Sequence, residues 1–261
     1  MADSSPVDIP ALFRLDGQVA IVTGASSGLG DRFARVLVAA GATVIAGARR
    51  IDRLESLAEE LGEHLVPVAC DVTDESSTAA LVATAIERFG AIDVLVNNAG
   101  AGTTMPAESE PMEQFRATID VNLTGLFCLT QQTARHMLEA QSGSIINIAS
   151  ILGLDAGAPI KQASYCASKG AVVNLTRELG VQWARKGVRV NAIAPGWFPT
   201  EMTQDDMFED GSGMAYLERN CPQGRGGELA ELDGALLFLA GSASSYVCGH
   251  ILTVDGGWTA R

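Results

Sequence analysis

The sequence has little positive charge and lacks the hallmarks of a nucleic-acid-binding or membrane protein. Its 261 residues include 18 Lys and Arg against 31 Asp and Glu, which gives a net charge of −13. No basic cluster stands out that could neutralise phosphates, so nucleic-acid binding is not expected. No apolar run approaches the roughly 18 residues of a membrane span. The polar, acidic N-terminus is expected to be neither a signal peptide nor a basic transit peptide.

Cysteine and histidine are scarce as well. The five cysteines are odd in number and form no CxxC motif, so a reduced, cytoplasmic protein is expected. The three histidines lie far from one another and from any cysteine at ligand spacing, so metal catalysis is not expected. In contrast, 47% hydrophobic residues and 28 glycines indicate a compact globular protein with many tight turns.

Short β-branched runs alternate with helix-length amphipathic segments along the chain. The predicted strands are residues 18–23, 43–46, 65–69, 92–96, 144–149, 188–194 and 251–254. The predicted helices are residues 29–40, 51–61, 75–89, 112–140, 163–185 and 228–240. The first four strands are expected to be buried on both faces, and the alternation predicts a parallel sheet with right-handed crossovers. Residues 15–261 are therefore predicted to form a single domain, preceded by a loosely held arm, residues 1–14.

A glycine-rich loop follows the first predicted strand and opens the first predicted helix. Glycines there allow a tight turn and close approach of the backbone to a pyrophosphate, while the helix N-terminus offers unpaired N–H groups. The loop is therefore predicted to bind a dinucleotide. Its predicted contacts are Gly24, Ser26, Ser27, Gly28, Leu29 and Gly30.

The end of the second predicted strand indicates which nicotinamide cofactor binds. An acidic residue at this point would bond the ribose hydroxyls and repel a 2′-phosphate. The chain instead has Ala48, Arg49 and Arg50, and a guanidinium group suits a phosphate. NADP(H) is therefore favoured, with NAD(H) possible. The alternative interpretation is that the arginines only begin a solvated helix, which is favoured for Arg50.

A tyrosine and a lysine lie four residues apart in the predicted helix 163–185, which places Tyr165 and Lys169 on one face. A nearby cation favours the phenolate, so the pKa of Tyr165 is expected to fall towards working pH. Ser150 follows the predicted strand 144–149 and should emerge at the carboxyl edge of the sheet, where ligands bind. Ser150 and Tyr165 are therefore predicted to contact a carbonyl oxygen, with Tyr165 as general acid or base.

Three sequence motifs occur together, one after another, along the chain. The G-x-x-x-G-x-G loop, the stretch Asn97-Asn98-Ala99-Gly100 after the fourth strand, and Tyr165-x-x-x-Lys169 resemble the short-chain dehydrogenase/reductase family. The resemblance runs from about residue 15 to the C-terminus. It implies an α/β fold, a single doubly wound Rossmann-type domain with about seven parallel strands. It also implies hydride transfer between a nicotinamide and a ketone or secondary alcohol.

The resemblance also extends the candidate site. It implies that Asn122 holds a water in a proton relay to Lys169, and an asparagine inside the predicted helix 112–140 would itself indicate a specific partner. The implied catalytic residues are Asn122, Ser150, Tyr165 and Lys169, and the expected substrate contacts are Ser150, Leu152, Tyr165 and Trp197. Further cofactor contacts are expected from Tyr165, Lys169, Asp71, Val72, Asn98, Ala99, Gly100, Pro195, Gly196, Phe198 and Thr200.

Two irregular segments are expected to shape the substrate pocket. Residues 197–226 have no clear period and carry methionines and aromatics, which suit either a lid or the packing of two short helices. Residues 153–161 make the interval from Ser150 to Tyr165 about two residues longer than is usual in the family. Cys166 faces another side of the helix than Tyr165 and is expected to be a small buried residue.

Two other functions stay open. A 3-oxoacyl-thioester reductase acting on an acyl carrier protein would share every motif, and Arg177, Arg185 and Lys186 are candidate docking residues for an acidic carrier. A nucleotide-binding regulator without turnover is the alternative from another class, although the complete quartet argues against it. The resemblance also implies a homotetramer, with a dimer possible, assembled through two long helices and the C-terminal region.

Overall fold

The computed structural model describes residues 8–157, 160–203, 208 and 211–261, without the side chain of Ser212. Parts of three predicted segments lie outside the described residues. These parts are residues 1–7 of the predicted arm, residues 158–159 beside the pocket, and residues 204–207 and 209–210 of the predicted lid, Met207 included.

Seven parallel strands form one sheet in the described part of the chain. They are β1 (Val19–Thr23), β2 (Thr43–Ala48), β3 (Leu65–Ala69), β4 (Val94–Asn97), β5 (Gly143–Ile148), β6 (Val188–Pro195) and β7 (Ile251–Val254). Their order across the sheet is β3-β2-β1-β4-β5-β6-β7, and every neighbouring pair is parallel. The predicted doubly wound α/β fold with seven parallel strands is confirmed.

Helices cover both faces of the sheet. They are α1 (Gly28–Ala39), α2 (Ile51–Leu61), α3 (Glu75–Phe89), α4 (Met112–Ile119), α5 (Leu126–Ala140), α6 (Ala163–Trp183), α7 (Ser212–Asn220) and α8 (Asp233–Ala240). Apolar side chains of α1, α2 and α8 pack on one face, and those of α3, α5 and α6 on the other. Neighbouring strand residues such as Ile145 and Ile146 point to opposite faces, and both are fully buried.

The predicted helix 112–140 is interrupted. A six-residue π-helix, Asp120–Gly125, separates α4 from α5. The predicted helix 228–240 also begins differently, as the 3₁₀-helix Leu229–Leu232 that leads into α8. The predicted burial of β3 on both faces is wrong at its carboxyl end, where Ala69 is exposed. Because β3 lies at the edge of the sheet, the helices of the two faces cover it less completely than the central strands.

Several short helices lie outside the predicted ones, and two of them fall in segments expected to be irregular or loosely held. α7 lies in the irregular segment 197–226, and the 3₁₀-helix Pro10–Leu12 lies in the predicted arm. The Leu12 carbonyl oxygen packs so closely on the end of α8 that a Cβ on Gly241 would lie 2.5 Å from it. The described end of the arm thus contacts the body of the protein.

The site is positioned by the strand order. β1 lies between β2 and β4, so the chain leaves the carboxyl ends of β1 and β4 towards different sides of the sheet. Diverging connections of this kind leave a crevice in which open α/β sheets bind ligands. No helix among the described residues combines the length and apolarity needed to cross a membrane.

Candidate active site

A cleft of about 500 Å³ lies at the carboxyl edge of the sheet. Its lining includes residues that follow β1, β2, β3, β4, β5 and β6, so it spans most of the sheet edge. Of the predicted cofactor residues, Gly30 alone does not line it. Those that do are Gly24, Ser26, Ser27, Gly28, Leu29, Arg49, Arg50, Asp71, Val72, Asn98, Ala99, Gly100, Tyr165, Lys169, Pro195, Gly196, Phe198 and Thr200.

Three glycines shape the loop between β1 and α1. Gly24 and Gly28 have φ angles of +66° and +55°, a region that residues with side chains rarely adopt. A Cβ on Gly24 would lie 2.9 Å from Ala99 Cα, and a Cβ on Gly30 would lie 2.2 Å from the Gly24 carbonyl oxygen. Gly30 therefore lets α1 pack against the loop, and Gly24 lets the loop after β4 approach. A Cβ on Gly28 would lie 3.3 Å from the Thr200 side chain, so Gly28 keeps the cleft open at the start of α1. This is the space that a phosphate group needs.

The loop after β4 is tied to the end of β1. The Thr23 hydroxyl accepts hydrogen bonds from the backbone N–H groups of Asn98 and Ala99, both at 3.1 Å. The Asn98 side chain donates to the Thr23 carbonyl at 2.9 Å. These bonds hold the two loops together on the floor of the cleft.

Asp71 and Arg49 lie at the end of the cleft beside β2 and β3. The Thr73 backbone N–H and hydroxyl donate to the Asp71 carboxylate at 2.9 and 2.7 Å and hold the pKa of Asp71 below its usual value, with a smaller contribution from the charge of Arg49. Asp71 is thus held in a turn at the cleft wall. Arg49 is exposed at the rim.

Arg50 differs from the expectation that it only begins a solvated helix. Its guanidinium group donates to the hydroxyls of Ser26 (3.2 Å) and Ser27 (2.7 Å) and to the Glu201 carboxylate (2.9 Å). Arg53 donates to the other oxygen of Glu201 at 2.5 Å, and these bonds lower the pKa of Glu201 to about 2. Arg50 therefore joins the glycine-rich loop to the segment after β6.

Ser150 and Tyr165 meet at the other end of the cleft. Ser150 lies two residues after the end of β5. Its side chain accepts a hydrogen bond from the Leu152 N–H at 3.1 Å, which caps the 3₁₀-helix Ile151–Gly153. Burial raises the pKa of the Tyr165 phenol, and a hydrogen bond with the Ser150 side chain partly opposes this rise. The two hydroxyl groups therefore lie together, as predicted for groups that share one carbonyl oxygen.

Lys169 is almost fully buried, with 4% of its surface exposed. Its ammonium group donates to the Ile148 carbonyl at 2.7 Å and lies 5.6 Å from the centre of the Tyr165 ring. Burial lowers the pKa of Lys169 to about 8. The expectation that this cation lowers the pKa of Tyr165 is wrong for this structure, because the loss of hydration at the buried phenol dominates and the pKa rises.

Asn122 lies in the π-helix and is fully buried. Its side chain accepts from the Ala101 N–H at 2.7 Å, donates to the Ala101 carbonyl at 2.8 Å, and donates to the Ser168 hydroxyl at 2.9 Å. The specific partners expected for a mid-helix asparagine are therefore the Ala101 backbone and Ser168. π-Helical segments inside α-helices often occur at functional sites. Asn122 does not line the large cleft, so its role in a water relay stays a prediction.

A smaller cavity of about 70 Å³, which we call the substrate cavity, adjoins Ser150 and Tyr165. It contains all four predicted substrate residues. It is lined by Gly102, Thr104, Ser150, Ile151, Leu152, Gln162, Tyr165, Gly196, Trp197, Met202 and Thr203. Thr104 and Gln162 were not predicted as site residues; they come together through a bridge between Met105 and Gln162. The contacts of Glu201 with Arg50 and Arg53 were not predicted either. No local signal marks these long-range contacts.

The described part of the predicted lid divides into two groups. Met202 faces the substrate cavity, whereas Phe208, Met214, Tyr216 and Leu217 belong to an apolar cluster around Trp258. The second group therefore packs the segment onto the body of the protein. Cys166 joins the same cluster, partly buried, and burial raises the pKa of its thiol.

No group of three or more potential metal ligands occurs among the described residues.

The model of the short chain dehydrogenase family matches residues 18–210. Galactitol 2-dehydrogenase (L-tagatose-forming) of Cereibacter sphaeroides is 40% identical over 97% of this chain and 99% of its own. 2-Dehydro-3-deoxy-D-gluconate 5-dehydrogenase of Bacillus subtilis is 40% identical over 95% of this chain and 97% of its own.

A crystal structure of gluconate 5-dehydrogenase from Burkholderia cenocepacia, in complex with NADP and tartrate, superposes with a TM-score of 0.92. That protein is 37% identical, and the match covers 97% of this chain and 100% of the other. The chain belongs to the short-chain dehydrogenase/reductase family. It is an oxidoreductase of CH–OH groups that uses NAD(P).

Replacing Lys169 by methionine is expected to stabilise the nucleotide-free protein near neutral pH. The folded-state pKa of about 8 lies below the ordinary lysine value of 10.5, so below pH 8 the folded protein must bury a charged ammonium group. Between about pH 8 and 10.5 the unfolded chain binds the extra proton, and the stability of the wild type rises. Lys169→Met should therefore raise the free energy of unfolding by about 1–2 kcal/mol at pH 7, after loss of the Ile148 bond, and by less at pH 10.

Urea unfolding at the two pH values measures this difference. The exposed Lys186 is the matched control, and Lys186→Met should leave the free energy of unfolding nearly unchanged at both. An equal loss of stability at pH 7 and pH 10 for Lys169→Met would contradict the stated cost of burying the charge.

Proposed function

We propose that the protein is an NADP(H)-dependent oxidoreductase that transfers a hydride between the nicotinamide and a ketone or secondary alcohol, with Tyr165 as general acid or base. The observation that carries this proposal is the meeting of Ser150, Tyr165 and Lys169 where the large cleft adjoins the substrate cavity. The names of the relatives, dehydrogenases of polyols and sugar acids, support the same reaction.

The cleft fits a dinucleotide. Gly28 leaves room for phosphates at the start of α1, and Arg49 offers a cation at the far rim. When bound, the nicotinamide supplies the hydride in reduction and accepts it in oxidation. The protein's part of the reaction is to orient the substrate and to move the proton.

Reduction requires a proton at the substrate oxygen as the hydride reaches the carbonyl carbon. The Ser150 and Tyr165 hydroxyls would both donate to that oxygen, and the raised pKa of the buried phenol keeps its proton available for transfer. The resulting phenolate would be stabilised by the Lys169 ammonium group and reprotonated through Lys169 and the proposed Asn122 water relay. In oxidation the same proton moves in the opposite direction.

NADP(H) is preferred over NAD(H) in this proposal. Arg49 is exposed at the cleft rim, where the acidic residue expected for NAD(H) is replaced by Ala48. Arg50 can also contribute, but its guanidinium group bonds Ser26, Ser27 and Glu201. The structure of the related gluconate 5-dehydrogenase with NADP supports the preference.

A reductase of carrier-bound thioesters finds less support. Arg177, Arg185 and Lys186 lie in the later part of α6 and the turn after it, whereas Tyr165 lies in the first turn. At about 1.5 Å per residue, Arg177 is roughly 18 Å and Arg185 roughly 30 Å along the helix from Tyr165. None of these three residues lines the large cleft or the substrate cavity.

We also propose a cytoplasmic homotetramer. All five cysteines are free, which suits a reducing compartment. Phe127 on α5 and Val181 on α6 are exposed apolar residues, 40% and 79% exposed respectively, on the two helices expected to form contacts between subunits.

Replacing Tyr165 by phenylalanine tests the proposed chemistry. Loss of the phenolic proton should lower kcat for ketone reduction by roughly 10²–10⁴-fold, with little change in the thermal unfolding midpoint. The rate is followed by NADPH absorbance. Tyr246→Phe, at a fully exposed tyrosine, is the control and should retain the wild-type rate. A Tyr165→Phe variant that keeps most of its turnover would rule out the assigned role.

Replacing Arg49 by alanine tests the cofactor preference. Loss of a charge-assisted bond to the 2′-phosphate should lower kcat/KM for NADPH by about 10–100-fold and change that for NADH much less. Arg88→Ala, at an exposed arginine on α3 outside the cleft lining, is the matched control. If the NADPH-to-NADH ratio of Arg49→Ala equals that of the wild type, Arg49 does not bind the phosphate.

A further inference from the structure

The described side chains that line the substrate cavity are uncharged. Ile151, Leu152, Trp197 and Met202 give it apolar walls, and within the described part of the chain its lining contains no Asp, Glu, Lys, Arg or His. Its hydroxyl groups at Ser150 and Tyr165 are those assigned to the reacting oxygen. The rest of a substrate must therefore fit a surface without a full charge.

The nearby cations are either engaged elsewhere or outside the lining. Lys169 donates to the Ile148 carbonyl and lines the large cleft, and Arg50 and Arg53 both bond Glu201. Lys161 is exposed and does not line the cavity. Between Arg189 and Arg219 the sequence has six acidic residues and no basic one.

A carboxylate in this cavity would lose water without gaining a countercharge. The effective cost of burying an ion is several kcal/mol unless it is paired and hydrogen-bonded. The start of α6 lies at the cavity, but a helix N-terminus supplies only about half an elementary charge.

A neutral polar pair completes the cavity wall. The Gln162 amide donates to the Thr104 hydroxyl at 3.2 Å, although these two residues are 58 positions apart. The Met105–Gln162 bridge holds the two segments together. The Met105 N–H donates to the Lys161 carbonyl at 2.8 Å, which fixes the same arrangement. An amide can both donate to and accept from a hydroxyl group.

Resting on the proposed function, we propose that the substrate is a compact, uncharged ketone or secondary alcohol with a second neutral oxygen function. Gln162 binds that second group, and carboxylate-bearing analogues are excluded by the uncharged cavity. The relatives include both a dehydrogenase of a neutral polyol and dehydrogenases of sugar acids. The charge of the cavity, rather than the family, therefore selects between these two substrate classes.

Keto acids compared with their own methyl esters test this inference, since each pair differs mainly in charge. Suitable pairs are 4-oxocyclohexanecarboxylate, levulinate and acetoacetate with their methyl esters, assayed with NADPH. Pairs that are not turned over are compared as inhibitors of the best neutral ketone. We expect at least a tenfold preference for the ester, in kcat/KM or in inhibition. A ratio near one, or a preference for the acid, overturns the inference.

Two variants locate the cause of the preference. Gln162→Arg places a cation in the cavity wall and should reduce the ester-to-acid ratio at least tenfold. Lys161→Gln removes the neighbouring cation outside the lining and should change the ratio less than twofold. If residual activity on an acid disappears in Lys161→Gln, that lysine holds the carboxylate and the inference is wrong.

Different results would overturn the proposed function and the neutral substrate class. If no ketone is reduced with either cofactor, the proposed function itself fails. If ketones are reduced and acids are preferred, the proposed function stands and only the neutral substrate class is overturned. A ratio that is unchanged in Gln162→Arg, with turnover retained, overturns the assignment of Gln162.

Discussion

A buried ammonium group is the constraint on which the candidate site depends. Lys169 donates to the carbonyl of Ile148 at the end of β5, and four residues earlier on the same helix face Tyr165 meets Ser150, two residues after Ile148. One charge-assisted bond thus joins α6 to the strand that carries the serine. Because the ammonium group is almost fully buried, its contact with the carbonyl replaces water that it has lost.

The elements around this bond are held by polar contacts that ordinary packing would not require. Asn122 joins the π-helix to the Ala101 backbone and to Ser168, next to Lys169 on α6. A π-helical segment and an asparagine inside a helix both reduce helix stability. Their presence at one point is understandable if they place the loop after β4 against the tyrosine and lysine. The loop after β4 is thereby placed beside the reacting groups at the cost of local helix stability.

The order of strands and helices could be predicted from the sequence because strands and helices differ in their hydrophobic period, and because glycines such as Gly62 and Gly90 end helices. The glycine loop and Ser150 could be placed because parallel strands bring their carboxyl ends to one edge. The π-helix could not be predicted, because the apolar residues of Asp120–Gly125 have the spacing of an ordinary α-helix. Thr104, Gln162 and Glu201 were missed because their contacts join distant segments. The rise in the Tyr165 pKa was missed because burial cannot be derived from a four-residue spacing.

The most direct test of the central claim is the fate of deuterium carried at C4 of the nicotinamide. Reduction of a ketone by NADPH deuterated on one or the other face of C4 is followed by NMR of the alcohol. We expect deuterium at the carbinol carbon from one face only, because the cleft and the substrate cavity meet at one fixed place. An alcohol without deuterium from either face, or no alcohol at all with any ketone, would contradict hydride transfer at this site.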